Sequence, residues 1–178
     1  MPSLSNIQRL PNWRVVLWGG AAALLSLPAV AMRFTTEVAW GPGDFVLMAC
    51  LLGLCCGAID LAVRRAPNRA YVGGVLVTVV GMFLLVWANL AVGLVGDEGN
   101  PLNLIFHAIP AIGVIGAFVS RWRATGLART LRVMAILQLA SLAVIPSGQP
   151  RLLIALGGFA IVWWAAARMF TAASRSGS

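Results

Sequence analysis

His107, the only histidine of this 178-residue chain, stands one helical turn after Asn103, and Asn89 stands two turns before Asp97. On helices both spacings place their pair on a single face. The connection from Asp97 to Pro101 is short, which predicts that the two helices it joins are antiparallel neighbours with facing polar stripes. Chemically, Asn89, Asp97, Asn103 and His107 form a candidate polar or ion site. His107 would exchange protons, Asp97 or Glu98 would supply negative charge, and Glu37 and Asp44 would extend the set into an acidic vestibule. The same residues admit a plainer reading. Asp97 and Glu98 are then solvated turn residues, Asn89 an interhelical hydrogen-bond donor and His107 a satisfied interface side chain.

Other chemistries find less support in the sequence. Cys50, Cys55 and Cys56 are odd in number, crowd one apolar stretch and contain no C-x-x-C, so they read as small buried residues rather than a redox pair. One histidine cannot supply bis-histidine haem ligation or a His-rich metal site, so neither metal nor cofactor is expected. No G-x-S-x-G, H-E-x-x-H, P-loop or Rossmann glycine pattern is present, and no catalytic residue is nominated. Spacing alone leaves open a site assembled between helices.

The elements that must position these residues are six apolar stretches, Trp13–Met32, Asp44–Val63, Val72–Gly96, Leu102–Ser120, Leu127–Ile145 and Leu152–Phe170. Each is near or above the roughly 20 residues that cross a hydrocarbon core of about 30 Å. With 60% apolar and 10% charged residues and a mean hydropathy of +0.90, the composition is far from that of a soluble domain. The expected fold is all-α, a polytopic transmembrane helical bundle in one membrane domain, with the lipid bilayer as its principal partner. The net charge of +8 does not point to nucleic acid, because the arginines are rationed to loop ends rather than gathered on a face.

That rationing predicts orientation. Arg9, Arg14, Arg64, Arg65, Arg69, Arg121, Arg123, Arg129, Arg132, Arg168 and Arg175 fall at alternate gaps and at the two ends, whereas only Arg33 and Arg151 fall in the other gaps. Short cytoplasmic loops retain arginine, so six spans with both termini in the cytoplasm are expected. Two stretches strain this scheme. Arg14, an apolar run and Ala29-Val30-Ala31 imitate a cleavable signal peptide, whose removal would leave five spans; retention is the favoured reading because the run is near spanning length. Arg129 and Arg132 interrupt the start of the fifth stretch, which spans only if both snorkel and the helix begins early.

Turn chemistry and small residues complete the expectations. Asp44, after Trp40-Gly41-Pro42-Gly43, reads as the N-cap of the second span, and Asn100, before Pro101, as that of the fourth. Gly53-x-x-x-Gly57 offers a smooth face for helix packing, within the chain or between copies in a homo-oligomer. Gln138 is expected to bond a neighbouring helix, and Asp60 to pair with Arg64 or Arg65.

Phe34-Thr35-Thr36-Glu37-Val38-Ala39-Trp40 with Asp44-Phe45, and Leu85-Val86-Trp87-Ala88-Asn89-Leu90-Ala91-Val92-Gly93 leading into Glu98-Gly99-Asn100-Pro101-Leu102-Asn103-Leu104, resemble an uncharacterised family of small polytopic bacterial inner-membrane proteins. The resemblance covers about residues 30 to 105. It implies membrane placement and brings no activity, ligand or catalytic residue. The family pattern has aromatic or apolar residues just after the Asn-Pro-x-Asn-Leu segment, from which His107 departs. The expected function is therefore a non-enzymatic accessory, structural or regulatory membrane subunit, with a membrane-protein partner or a second copy. The alternative is a small proton or cation transporter or channel component using the polar stripe between the third and fourth spans.

Overall fold

The computed structural model describes residues 13–96, 99–145 and 148–176. Among them are six helices long and apolar enough to cross a membrane and no strand. We number the helices α1 (Trp13–Ala31), α2 (Pro42–Arg65), α3 (Arg69–Val92), α4 (Leu104–Val119), α5 (Ala124–Ala140) and α6 (Pro150–Arg175). Short 3-10 turns precede α4 at Pro101–Asn103 and follow α5 at Ser141–Val144. Contacts divide the chain into two compact units, Met1–Arg65 and Ala66–Ser178.

The first unit is the α1–α2 hairpin. No residue of α1 is buried, whereas α2 buries Leu52, Cys56, Ile59, Ala62 and Val63. The start of α2 corrects the expected cap. The helix begins at Pro42, so Asp44 is its third residue rather than its N-cap, and the carboxylate Oδ2 reaches back to accept from the Gly41 N–H at 2.8 Å. This is the acidic arm of a capping box. Trp40 and Phe45 stack edge to face at 5.4 Å across the same turn, as the apolar staple of such a helix start does. At the other end of the hairpin, Asp60 pairs with Arg64, as expected, at 2.9 Å. It also receives Arg14 in a two-pronged contact, Nε to Oδ1 at 2.9 Å and Nη2 to Oδ2 at 2.7 Å. Forty-six residues separate Arg14 and Asp60, a pairing that local spacing does not indicate.

The second unit is a ring of four helices. α6 packs most extensively on α5 and α3, and α4 closes the circuit against α5 and α3. Trp163, Phe106, Phe170, Leu85, Met134, Leu156 and Gln138 fill its centre, each below 2% exposed. Two bulky residues of α6 meet two glycines of α3 in antiparallel order, Phe170 over Gly74 and Trp163 over Gly81. A Cβ at Gly74 would lie 2.9 Å from Phe170 Cε2, and one at Gly81 would lie 2.9 Å from Trp163 Cζ3. Gly113 of α4 makes room for Met82 and Met134, and Gly116 for Thr130. These glycines carry the close helix approaches. By contrast, a Cβ at Gly53 or Gly57 would meet nothing within 4 Å, so the motif singled out in the sequence supports no tight contact within the α1–α2 hairpin.

The fifth span reaches its length in the way the arginine argument requires. α5 starts at Ala124, before Arg129 and Arg132, and with its 3-10 extension gives a 21-residue apolar segment from Ala124 to Val144. Both arginines are exposed near the start. The chain arrives there through Arg121 and Trp122, two non-glycine residues at φ 50° and 61°. Side chains disfavour that region by about 1–2 kcal/mol per residue. Backbone bonds from Arg121 N to Phe118 O and from Trp122 N to Ala117 O (each 3.0 Å) close the end of α4. The Tyr71 hydroxyl then holds the Trp122 carbonyl at 2.8 Å.

Candidate functional site

Asn89, Asn103 and His107 come together, as their spacing predicts; Asp97 and Glu98 lie outside the described residues. Asn89 sits in the last turn of α3 and is 3% exposed. Its amide nitrogen forks, donating to the Asn103 carbonyl at 2.9 Å and contacting His107 Nδ1 at 2.8 Å. Its Oδ1 accepts from Leu94 N at 3.2 Å. A side-chain amide N–H can bond Nδ1 only when that ring nitrogen is unprotonated, so this geometry belongs to the Nε2–H tautomer of His107. A proton on Nδ1 would instead donate to the Asn103 carbonyl, 3.2 Å away, and would face the Asn89 amide donor to donor.

Asn103, also buried, binds the connecting loop. Its Oδ1 accepts from Val95 N at 2.8 Å, and its Nδ2 donates to Val95 O at 3.4 Å. One side chain thus satisfies both polar groups of a buried backbone unit, which would otherwise be costly so close to hydrocarbon. Asn100 is the expected cap, accepting from Leu102 N at 3.0 Å with Pro101 as the first residue of the 3-10 turn. Gly93 and Gly96, at φ 60° and 70°, give the loop its left-handed bends. The arrangement is a knot of three side chains that ends α3, folds the loop and starts α4. Its chemical resources are carboxamides, backbone carbonyls and one imidazole.

Two further polar groups join helices of the second unit. Gln138 is fully buried and accepts from the indole N–H of Trp163 on α6 at 3.4 Å. This is the interhelical bond expected of it. Asn68 was not singled out, although an Asn directly before an apolar run is an N-cap signal. Its Oδ1 accepts from Tyr71 N at 3.0 Å, and its amide nitrogen donates to the Ala173 carbonyl at 2.9 Å and to Ser176 Oγ at 2.7 Å. Among the described residues no buried side-chain nitrogen or oxygen lacks a partner, and no group of three or more His, Cys, Asp and Glu is assembled as a metal ion would need.

Six apolar crossings and an interior of satisfied polar groups define a multi-pass helical membrane protein. The chain matches no protein-family model, no curated protein and no solved structure.

Proposed function

We propose that this protein is a non-enzymatic accessory, structural or regulatory subunit of the bacterial inner membrane, with both termini cytoplasmic. The observation that carries this reading is the closure of the Asn89–Asn103–His107 cluster. The donors and acceptors of Asn89 and Asn103, and His107 Nδ1, are directed at the chain's own backbone and at one another. An ion or proton path needs polar groups available to a moving species, whereas a helix-terminating knot needs them engaged. The wholly unburied α1, with Val15, Val16 and Leu27 more than half exposed, supports a role exercised through apolar helix faces. The arginine distribution supports the orientation, and the resemblance over residues 30 to 105 supports the bacterial inner membrane as the compartment.

Affinity purification of the full chain in a mild detergent tests the function. A membrane protein recovered in fixed stoichiometry is the expected result. Proton or cation flux in proteoliposomes that is lost on His107→Ala would refute the proposal in favour of a transport role. Reporter fusions at Arg65, Asp97 and Arg123 test the orientation, with Asp97 expected opposite the other two.

A further inference from the structure

A half-open cleft of about 610 Å³ lies between the first half of α5 and the last turns of α6. Its volume falls within the roughly 300–1,000 Å³ of small-molecule sites. Arg132 enters from α5. Arg168, Thr171 and Arg175 enter from α6, with Trp164 one turn further along and Ala167 forming part of the wall. Arg132 Nη2 donates to Thr171 Oγ1 at 3.1 Å, which ties the two walls together and directs one guanidinium across the cleft. Arg168 and Arg175 stand two turns apart, about 10 Å along the helix axis, within converging reach of two long side chains.

Charge decides what this cleft would hold. From Gly99 to Ser178 the sequence contains Arg121, Arg123, Arg129, Arg132, Arg151, Arg168 and Arg175, and no Asp or Glu. That stretch therefore adds basic side chains and no acidic ones around the cleft. The carbonyls at the C-terminal end of α6 oppose an anion. One of them, on Ala173, is already bonded by Asn68, and guanidinium groups outweigh a helix end of about half a charge. Planar guanidiniums match phosphate oxygens in two-pronged contacts, a hydroxyl adds a further donor, and an exposed tryptophan beside them is typical of headgroup depth. Basic pockets between transmembrane helices are used in this way for anionic headgroups.

We propose that this cleft binds a phosphate ester anion, supplied either by the headgroup of an anionic phospholipid or by a soluble phosphate ester. The test uses the full chain in detergent micelles doped with phosphatidylglycerol or phosphatidylcholine. Retained lipid is read by native mass spectrometry, and thermal stabilisation by inorganic phosphate is read in parallel. Selective retention of phosphatidylglycerol is expected. It should weaken roughly 20- to 30-fold in Arg168→Gln/Arg175→Gln, at about fivefold for each arginine lost. The equally neutralising control Arg121→Gln/Arg123→Gln, on the turn between α4 and α5, should stay within about twofold, since log-scale effects of that size mark a site rather than overall charge. Phosphate stabilisation that depends on Arg168 and Arg175 without lipid selectivity would assign the site to soluble esters. Equal losses in the two double variants, or no preference for either anion in the unmodified chain, would overturn the proposal. Thermal midpoints of the variants without ligand establish that each is folded.

Discussion

Replacing Asn89 by leucine probes the energetic role of the polar knot, because leucine keeps the branched four-atom skeleton of asparagine without its hydrogen bonds and leaves no cavity. Three groups lose one contact each: Leu94 N, the Asn103 carbonyl and His107 Nδ1. Interhelical hydrogen bonds in membrane proteins average about 0.6 kcal/mol, whereas a buried group left unmade costs about 1–3 kcal/mol. The Asn103 carbonyl and His107 lie 3.2 Å apart, so a proton on Nδ1 can recover part of the loss. The net expectation is destabilisation of about 2–4 kcal/mol. His107→Phe removes a single contact and should cost about 1 kcal/mol. Because the two side chains share that contact, the double variant should be less destabilised than the sum by about 0.6–1 kcal/mol. Reversible unfolding in mixed micelles, followed by tryptophan fluorescence, measures all four corners of the cycle. Stability of Asn89→Leu within about 0.5 kcal/mol of the unmodified chain, or additivity within about 0.3 kcal/mol, would refute the knot as an energetic unit.

The same unfolding measurement checks three more expectations. Gly81→Ala drives a methyl group against the Trp163 ring and Val162 and should cost about 1–3 kcal/mol; Gly53→Ala, with open space around it, should be neutral or stabilising by up to about 1 kcal/mol. Tyr71→Phe should cost about 1 kcal/mol by releasing the Trp122 carbonyl, and Trp122→Gly should recover about 1 kcal/mol of backbone strain less whatever packing the indole contributes. Asp60→Asn should cost under about 1 kcal/mol and become smaller still at high salt, since Arg14 and Arg64 are each about half exposed and screening is strong there.

Hydropathy and arginine placement make the six crossings legible, because both are single-residue properties summed over long windows. The juxtaposition of Asn89 with Asn103 and His107 is legible too, since it follows from helical spacing and one short connection. What each side chain does there is less visible. Asn103 is read from its spacing as a partner of His107, yet its own side chain spans the Val95 peptide unit, a consequence of how the loop turns at Gly93 and Gly96. Asp44 misleads for a related reason: Pro42 is an acceptable first helical residue, so the helix starts three residues early and the carboxylate caps from the third position. Glycine motifs fail most clearly. Gly53-x-x-x-Gly57 has the familiar spacing, but the glycines under pressure are Gly74 and Gly81, two turns apart, because their partners Phe170 and Trp163 repeat with the same period on an antiparallel helix. No local pattern in α3 announces which helix it will face.

The asparagines of the second unit share one physical task at the two ends of α3. Asn68 caps the start of α3 and donates to a carbonyl near the end of α6; Asn89 accepts from the loop after α3 and donates to the carbonyl that begins α4. Helix ends leave backbone groups without intrahelical partners, and at the edge of a bilayer water is a poor substitute for them. A carboxamide both donates and accepts without carrying charge, so it can bridge two helix ends where a carboxylate or guanidinium could serve only one side of the exchange. The charged residues of the first unit work differently, gathering two arginines on Asp60 where the hairpin's two ends are partly exposed. Neutral amides at the buried Asn89 and Asn103, and ion pairs from the half-exposed Arg14 and Arg64, follow the desolvation cost of each group. By the same rule, the exposed arginines around the α5–α6 cleft keep a charge that a buried position would make expensive, and they are the groups best placed to meet an anion from outside the chain.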